Sequence, residues 1–146
     1  MKNRHPVQVV ALLAGAAFLL VGILGFVPGI TSGFADLSFA GRFSEAHLLG
    51  LFQVSVLHNL VHLLFGVVGL AAARTAAAAR GFLVGVGAVY LVLTVYGFLV
   101  GHDSPANFVP VNVADNVLHL GLGLGMLAAG LVLGKSAAAR HIPAGR

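Results

Sequence analysis

The chain contains no cysteine, and only 8% of its 146 residues are charged. The first absence excludes disulfides, thiolate metal sites and lipid attachment through a cysteine. The second removes the solvated surface of a soluble domain, in which about 25% of residues are charged. Acidic residues are fewer still, four in all, and no serine is grouped with histidine and aspartate as a nucleophile constellation. A phosphate loop is also missing: "GLGLG" at 121–125 lies within an apolar run and not between a strand and a helix. Nothing in the chain marks a catalytic residue.

What is present is hydrophobic, 59% of the residues, with a mean hydropathy of +1.02. Four uncharged runs, Val7–Val27, Leu48–Ala73, Gly81–Gly101 and Asn116–Gly134, are long enough to cross a hydrocarbon core, which takes about 20 helical residues. The first run exceeds the roughly 7–15 residues of a secretory signal core and is followed by no clear A-x-A site, so it is expected to remain as a membrane helix. The formal charge of +4 does not indicate a nucleic-acid surface, because the basic residues are scattered among the segment ends. Lys2, Arg4, Arg74, Arg80, Lys135, Arg140 and Arg146 border one side of the predicted spans, and Arg42 alone lies on the other. That bias places both termini in the cytoplasm and the links 28–47 and 102–114 outside.

Two elements recur. "HNLVHLLFG" at 58–66 returns as "DNVLHLGLG" at 115–123, and "GFVPG" at 25–29 is matched by "GFLVG" at 97–101. The shared order predicts one all-α membrane domain over residues 1–146: an up-down bundle of four transmembrane helices, made of two tandem hairpins, about 7–73 and 81–134. The first outer link is then the longer of the two. With Phe34, Leu37, Phe39 and Phe43 among its polar residues, it reads as a loop resting at the headgroups or as a short amphipathic lid. Glycines within the runs are expected to let helix backbones approach closely.

Residues four apart share a helix face, so His58, His62 and Gly66 form one stripe and Asp115, His119 and Gly123 its counterpart. Both fall in the outer half of the membrane, and ionisable groups there should face the bundle interior and find partners. If the second and fourth helices face one another across the repeat axis, the stripes meet. Four uses follow. In a structural clamp, His58 pairs with Asp115, a box histidine bonds a carbonyl or Tyr96, and Asn59 and Asn116 cross-link the helices. As a metal site, His58, His62, Asp115 and His119 supply three imidazoles and a carboxylate, a set suited to zinc or another divalent ion. As a haem b site, His62 and His119 are the axial pair, with Gly66 and Gly123 clearing room for the macrocycle and Arg42 the one basic residue outside for its propionates. The fourth use is a proton relay. His47 and the His102–Asp103 pair read as helix-start and turn residues, and His5 and His141 as tail residues.

The boxes "HNLVHLLFGVVGL" and "NVADNVLHLGLGLGMLAAG", with the size and layout of the chain, resemble a family of small bacterial four-helix membrane proteins described as domain of unknown function DUF4383. Asn-x-x-His followed by glycine at that depth is uncommon in generic membrane helices, and the resemblance spans nearly all but the tails. It implies an integral protein of the bacterial plasma membrane and brings no activity or cofactor. The expected role is that of a structural or accessory component of the lipid bilayer, self-associated or bound to another membrane protein. A zinc or haem protein is the alternative.

Overall fold

The computed structural model describes residues 4–101 and 104–139, the side chains of 135–139 excepted. His102, Asp103, His141 and the charged tail residues Lys2, Arg140 and Arg146 lie outside the described residues. The chain forms four helices, α1 (Pro6–Leu24), α2 (Val56–Ala72), α3 (Ala76–Leu99) and α4 (Val113–Ala139), with three two-residue strands, β1 (Thr31–Ser32), β2 (His47–Leu48) and β3 (Phe52–Gln53), between α1 and α2. Three helices, α1, α3 and α4, are long and apolar enough to cross a membrane. Leucines and valines such as Leu13, Leu64, Val92 and Val132 are exposed on the outer faces, while His58, Asn59, His62, Asp115, Asn116 and His119 are buried. With apolar groups outside and polar groups inside, the barrel suits lipid as its solvent.

α1 packs along α2, and α3 along α4; the two pairs meet through α1 with α3, α2 with α3 and α1 with α4 in similar measure, and α2 and α4 make little contact. This corrects the expectation that α2 and α4 face one another. The reason lies in the glycines. A Cβ on Gly15 would stand 2.8 Å from the Leu70 backbone nitrogen, and one on Gly87 would stand 2.8 Å from that of Leu127. Gly66 is covered by Leu19 and Gly123 by Leu91. Each box helix therefore turns its glycine face toward the helix preceding it in the chain, where backbones can touch.

The second apolar run is not helical throughout. Residues 48–55 form a strand, a turn and a second strand, and α2 begins at Val56. The turn holds Leu49 and Gly50 at positive φ, 54° and 68°, a conformation outside any helix. Ser55 then caps α2, its side chain accepting from the His58 amide. A buried strand and a buried helical turn have similar apolar composition, so hydropathy alone did not separate them. The 17 residues of α2 span about 25 Å, short of the roughly 30 Å hydrocarbon thickness.

The first outer link is neither a plain loop nor an amphipathic helix. It contributes β1, a single 3-10 turn at Phe34–Asp36 and β2 to an antiparallel sheet of order β1-β2-β3, with Thr31 opposite Leu48 and Leu48 opposite Phe52. Ser38 and Phe39 carbonyls accept the first two amides of α2, from Val56 and Leu57. The sheet and its flanking loops thus close the outer end of the helix pair and satisfy a helix terminus. At the other end, Gln8 of α1 donates from Nε2 to the Ala73 carbonyl just beyond α2, and Thr75 caps α3.

Valine at Gly15 or Gly87 should separate the helix backbones and cost about 1–3 kcal/mol of stability. Valine at Gly85, beside which nothing lies within 4 Å, should be near neutral, and thermal unfolding in detergent compares the three.

Candidate functional site

The box residues converge in the half of the bundle where α2 and α4 begin. The His58 and His62 rings, one helical turn apart, stack with centroids 4.5 Å apart and planes 7° from parallel. His119 reaches across from α4, its ring 6.3 Å from that of His58. Tyr90 of α3 stands between the two boxes: its ring centroid is 4.7 Å from His119, and its hydroxyl is 3.2 Å from His62 Nε2. Phe18 of α1 stacks on Tyr90 at 5.7 Å and meets His62 edge-on at 5.8 Å. The stripes therefore do meet, His58 with His119, but through α3 and not by direct apposition of α2 and α4.

Hydrogen bonding assigns the protons. His62 Nδ1 lies 3.0 Å from the His58 carbonyl, which can only accept, so Nδ1 carries the hydrogen and Nε2 is bare. The Tyr90 hydroxyl accordingly donates to His62 Nε2. His58 differs: its Nδ1 is buried without a partner. His119 Nδ1 is also buried and unpartnered.

Asp115 is placed elsewhere in the network. Its Oδ2 accepts from the Gln53 amide at 3.1 Å and the Asn112 amide at 2.9 Å, while Asn112 Oδ1 accepts from the Asp115 amide at 2.9 Å. This reciprocal pair is a capping box at the start of α4, and the Gln53 bond ties that start to β3. Gln53 Nε2 in turn donates to the Ser44 carbonyl, and Asn112 Nδ2 to the Leu51 carbonyl. The carboxylate anchors the outer sheet; the expected partnership with His58 is not formed.

Asn59 and Asn116 do not bond one another. Asn59 lies flat against Gly25 and Asn116 against Gly97, so closely that any side chain at either glycine would overlap the carboxamide. Asn59 Oδ1 and Nδ2 and Asn116 Oδ1 have no conventional partner, and the glycine Cα–H groups are the weak donors within reach. Tyr96 is remote from the histidines, its hydroxyl bonding the Ala106 carbonyl and the Phe108 amide. Tyr90 is the tyrosine of the cluster. Its sequence signal was its position, since Tyr90 follows Phe18 at the same spacing by which Gly97 follows Gly25.

These commitments bear on both cofactor readings. Of the four candidate metal ligands, Asp115 Oδ2 holds two amides and both ring nitrogens of His62 are bonded. Among the described residues, no three histidine or acidic side chains are arranged to hold one ion. A haem between His62 and His119 would need the space that Tyr90 fills, and the room expected at Gly66 and Gly123 is taken by Leu19 and Leu91. The residues present do not fit that group.

A helical bundle with an apolar exterior, three spanning-length helices and a buried histidine cluster is a multi-pass membrane protein. Residues 8–132 match the family model described as domain of unknown function DUF4383, and the chain belongs to that family. No curated protein and no solved structure matches it.

Asp115→Ala should leave the Gln53 and Asn112 amides without their acceptor, at a cost of about 1–3 kcal/mol. Faster hydrogen exchange at those two amides, with the α3 amides still protected, is the expected result.

Proposed function

We propose that the protein is a structural or accessory component of the bacterial plasma membrane, in which a polar clamp made of His58, His62, His119 and Tyr90 holds two tandem helical hairpins in register. The observation that carries this reading is the Tyr90–His62 hydrogen bond, which joins α3 of one hairpin to α2 of the other. In lipid no hydrophobic force favours one helix pairing over another, so a few directed bonds and close backbone contacts decide it. Asn59 and Asn116 have the corresponding task within each hairpin, locking each box helix against the glycine opposite.

Matched contacts support the tandem repeat over about 7–73 and 81–134. Gly15 with Leu70 corresponds to Gly87 with Leu127, Leu19 on Gly66 to Leu91 on Gly123, and Gly25 under Asn59 to Gly97 under Asn116. In every case the first partner shifts as Gly25 does to Gly97, and the second as His62 does to His119. Phe18 and Tyr90 would then be equivalent residues stacked at the pseudo-twofold axis. The excess of basic residues on the side of the termini and of the short link at 73–75 supports an up-down bundle with that side cytoplasmic. The exposed apolar faces are available to the bilayer, to a second copy or to another membrane protein.

Three measurements test this reading. In a double-mutant cycle, Tyr90→Phe and His62→Leu should each destabilise modestly and show a coupling of about 0.5–1.5 kcal/mol; strict additivity would remove the clamp. The chain lacks cysteine, so Ala35→Cys and Ala77→Cys report topology directly: a membrane-impermeant thiol reagent should label the first in intact cells and spare the second. Protein purified in detergent should be colourless and free of stoichiometric zinc; a Soret band or one zinc per chain would replace the clamp with a cofactor site.

A further inference from the structure

Arg80 lies in the early part of α3, which starts at Ala76, and its stem crosses to α4. A Cβ on Gly134 would overlap Arg80 Cδ and stand 2.7 Å from Cγ and 3.0 Å from Nε, so this glycine is the seat on which the stem lies across the α3–α4 seam. Gly134 is buried, whereas Arg80 stays exposed. The stem is positioned by the fold, and its charged end is left at the surface.

This end of the bundle holds no acidic side chain to pair with that charge. Asp36 and Glu45 lie in the link between α1 and α2, Asp103 follows α3 in the chain, and Asp115 is in the first turn of α4, from which the helix rises on the order of 28 Å to Gly134. Arg74, just before α3, and Lys135, next after Gly134 in the chain, instead add positive charge at the same end. The uncharged run Gly81–Gly101 has the length of the roughly 30 Å hydrocarbon core, which sets Arg80 at the edge of that core. Phosphates are the bilayer groups found there. A planar guanidinium takes a phosphate through two parallel hydrogen bonds, and a stem already ordered loses little freedom in making them. Basic pockets between helices on the cytoplasmic side bind anionic headgroups in this way.

We infer that the α3–α4 seam at Arg80 binds the phosphate of an anionic phospholipid, whose headgroup carries no cation of its own to compete with the guanidinium. The site involves none of the histidines. Its failure would leave the Tyr90–His62 coupling untouched, and the two readings fail separately.

The test titrates dihexanoyl phosphatidylglycerol, a soluble anionic phospholipid, into the full chain in maltoside micelles, with native mass spectrometry for stoichiometry and the Arg80 Nε–H resonance for the site. One equivalent should bind saturably and move that resonance. Arg80→Gln should bind about fivefold more weakly, the worth of one basic residue at an anionic membrane surface, with its unfolding temperature unchanged when no lipid is added. Arg74→Gln should lose less than about twofold. Gly134→Ala keeps every charge and removes the seat, so its affinity should fall toward that of Arg80→Gln. Dihexanoyl phosphatidylcholine should bind more weakly than the glycerol lipid, and inorganic phosphate should leave the resonance in place. Undiminished binding in Arg80→Gln or Gly134→Ala, equal losses in the Arg74 and Arg80 variants, equal affinity for the two lipids, or a shift reproduced by inorganic phosphate would each overturn the proposal.

Discussion

The hydroxyl of Tyr90 donating to His62 Nε2 is the contact on which the arrangement of the bundle turns. It requires His62 to hold its proton on Nδ1, which the His58 carbonyl one turn earlier secures. It also requires α3 to come close to α2, which Gly69 of α2 permits by leaving room for the Phe82 ring of α3. Phe18 enforces that approach from the α1 side, stacked on the Tyr90 ring and edge-on to His62. One polar bond and one aromatic stack thus join the two helix pairs, beside the Phe18–Phe82 and Phe65–Tyr90 contacts and the bonds of Asp115 and Asn112 to the hairpin before α2. In hydrocarbon such a bond contributes only about 0.6 kcal/mol on average. Its importance lies in direction, since in this register both ring nitrogens of His62 have a partner.

Within each pair the logic is different. α1 with α2 and α3 with α4 are held by backbone proximity at Gly15, Gly66, Gly87 and Gly123, where dispersion acts over many atoms and no side chain intervenes. Those seams treat the halves alike, and the polar residues do not. Asp115 occupies in the second box the position that His58 occupies in the first, yet it has left the histidine group to anchor the outer sheet through Gln53 and Asn112. His58 at the matching position keeps an Nδ1 that the protein does not satisfy.

Much of this was legible in the residues. Charge scarcity and apolar run length identified membrane helices, and the spacing of the boxes placed His58, His62 and His119 on converging faces. Helix packing was not legible in the same way. The i, i+4 pattern shows which residues share a face, but a stripe holding both histidine and glycine does not say which of them meets which neighbour. Here the glycines meet the preceding helix and the histidines look toward Tyr90. Tyr90 was obscured because an isolated tyrosine in an apolar run has no periodic signature of its own. Asp115 was misplaced because a residue three positions after an asparagine serves equally as a cap, and the box similarity drew it toward the histidines.

The outer sheet explains why α2 can be so short. A helix that ends below the membrane surface exposes amides where water is scarce, and each unsatisfied group there is costly. Ser38, Phe39 and Ser55 supply acceptors for the amides of Val56, Leu57 and His58, so the late start of α2 leaves none of the three unsatisfied. That start places His58 in the first turn of the helix, where its amide donates to the Ser55 side chain. A helix running through the whole apolar stretch from Leu48 would have left His58 mid-helix, with its amide bonded to a carbonyl four residues earlier. The extra length of the first outer link thus has a structural consequence at the histidines: it builds the sheet that lets the helix begin late, and the late start sets His58 in the capped first turn.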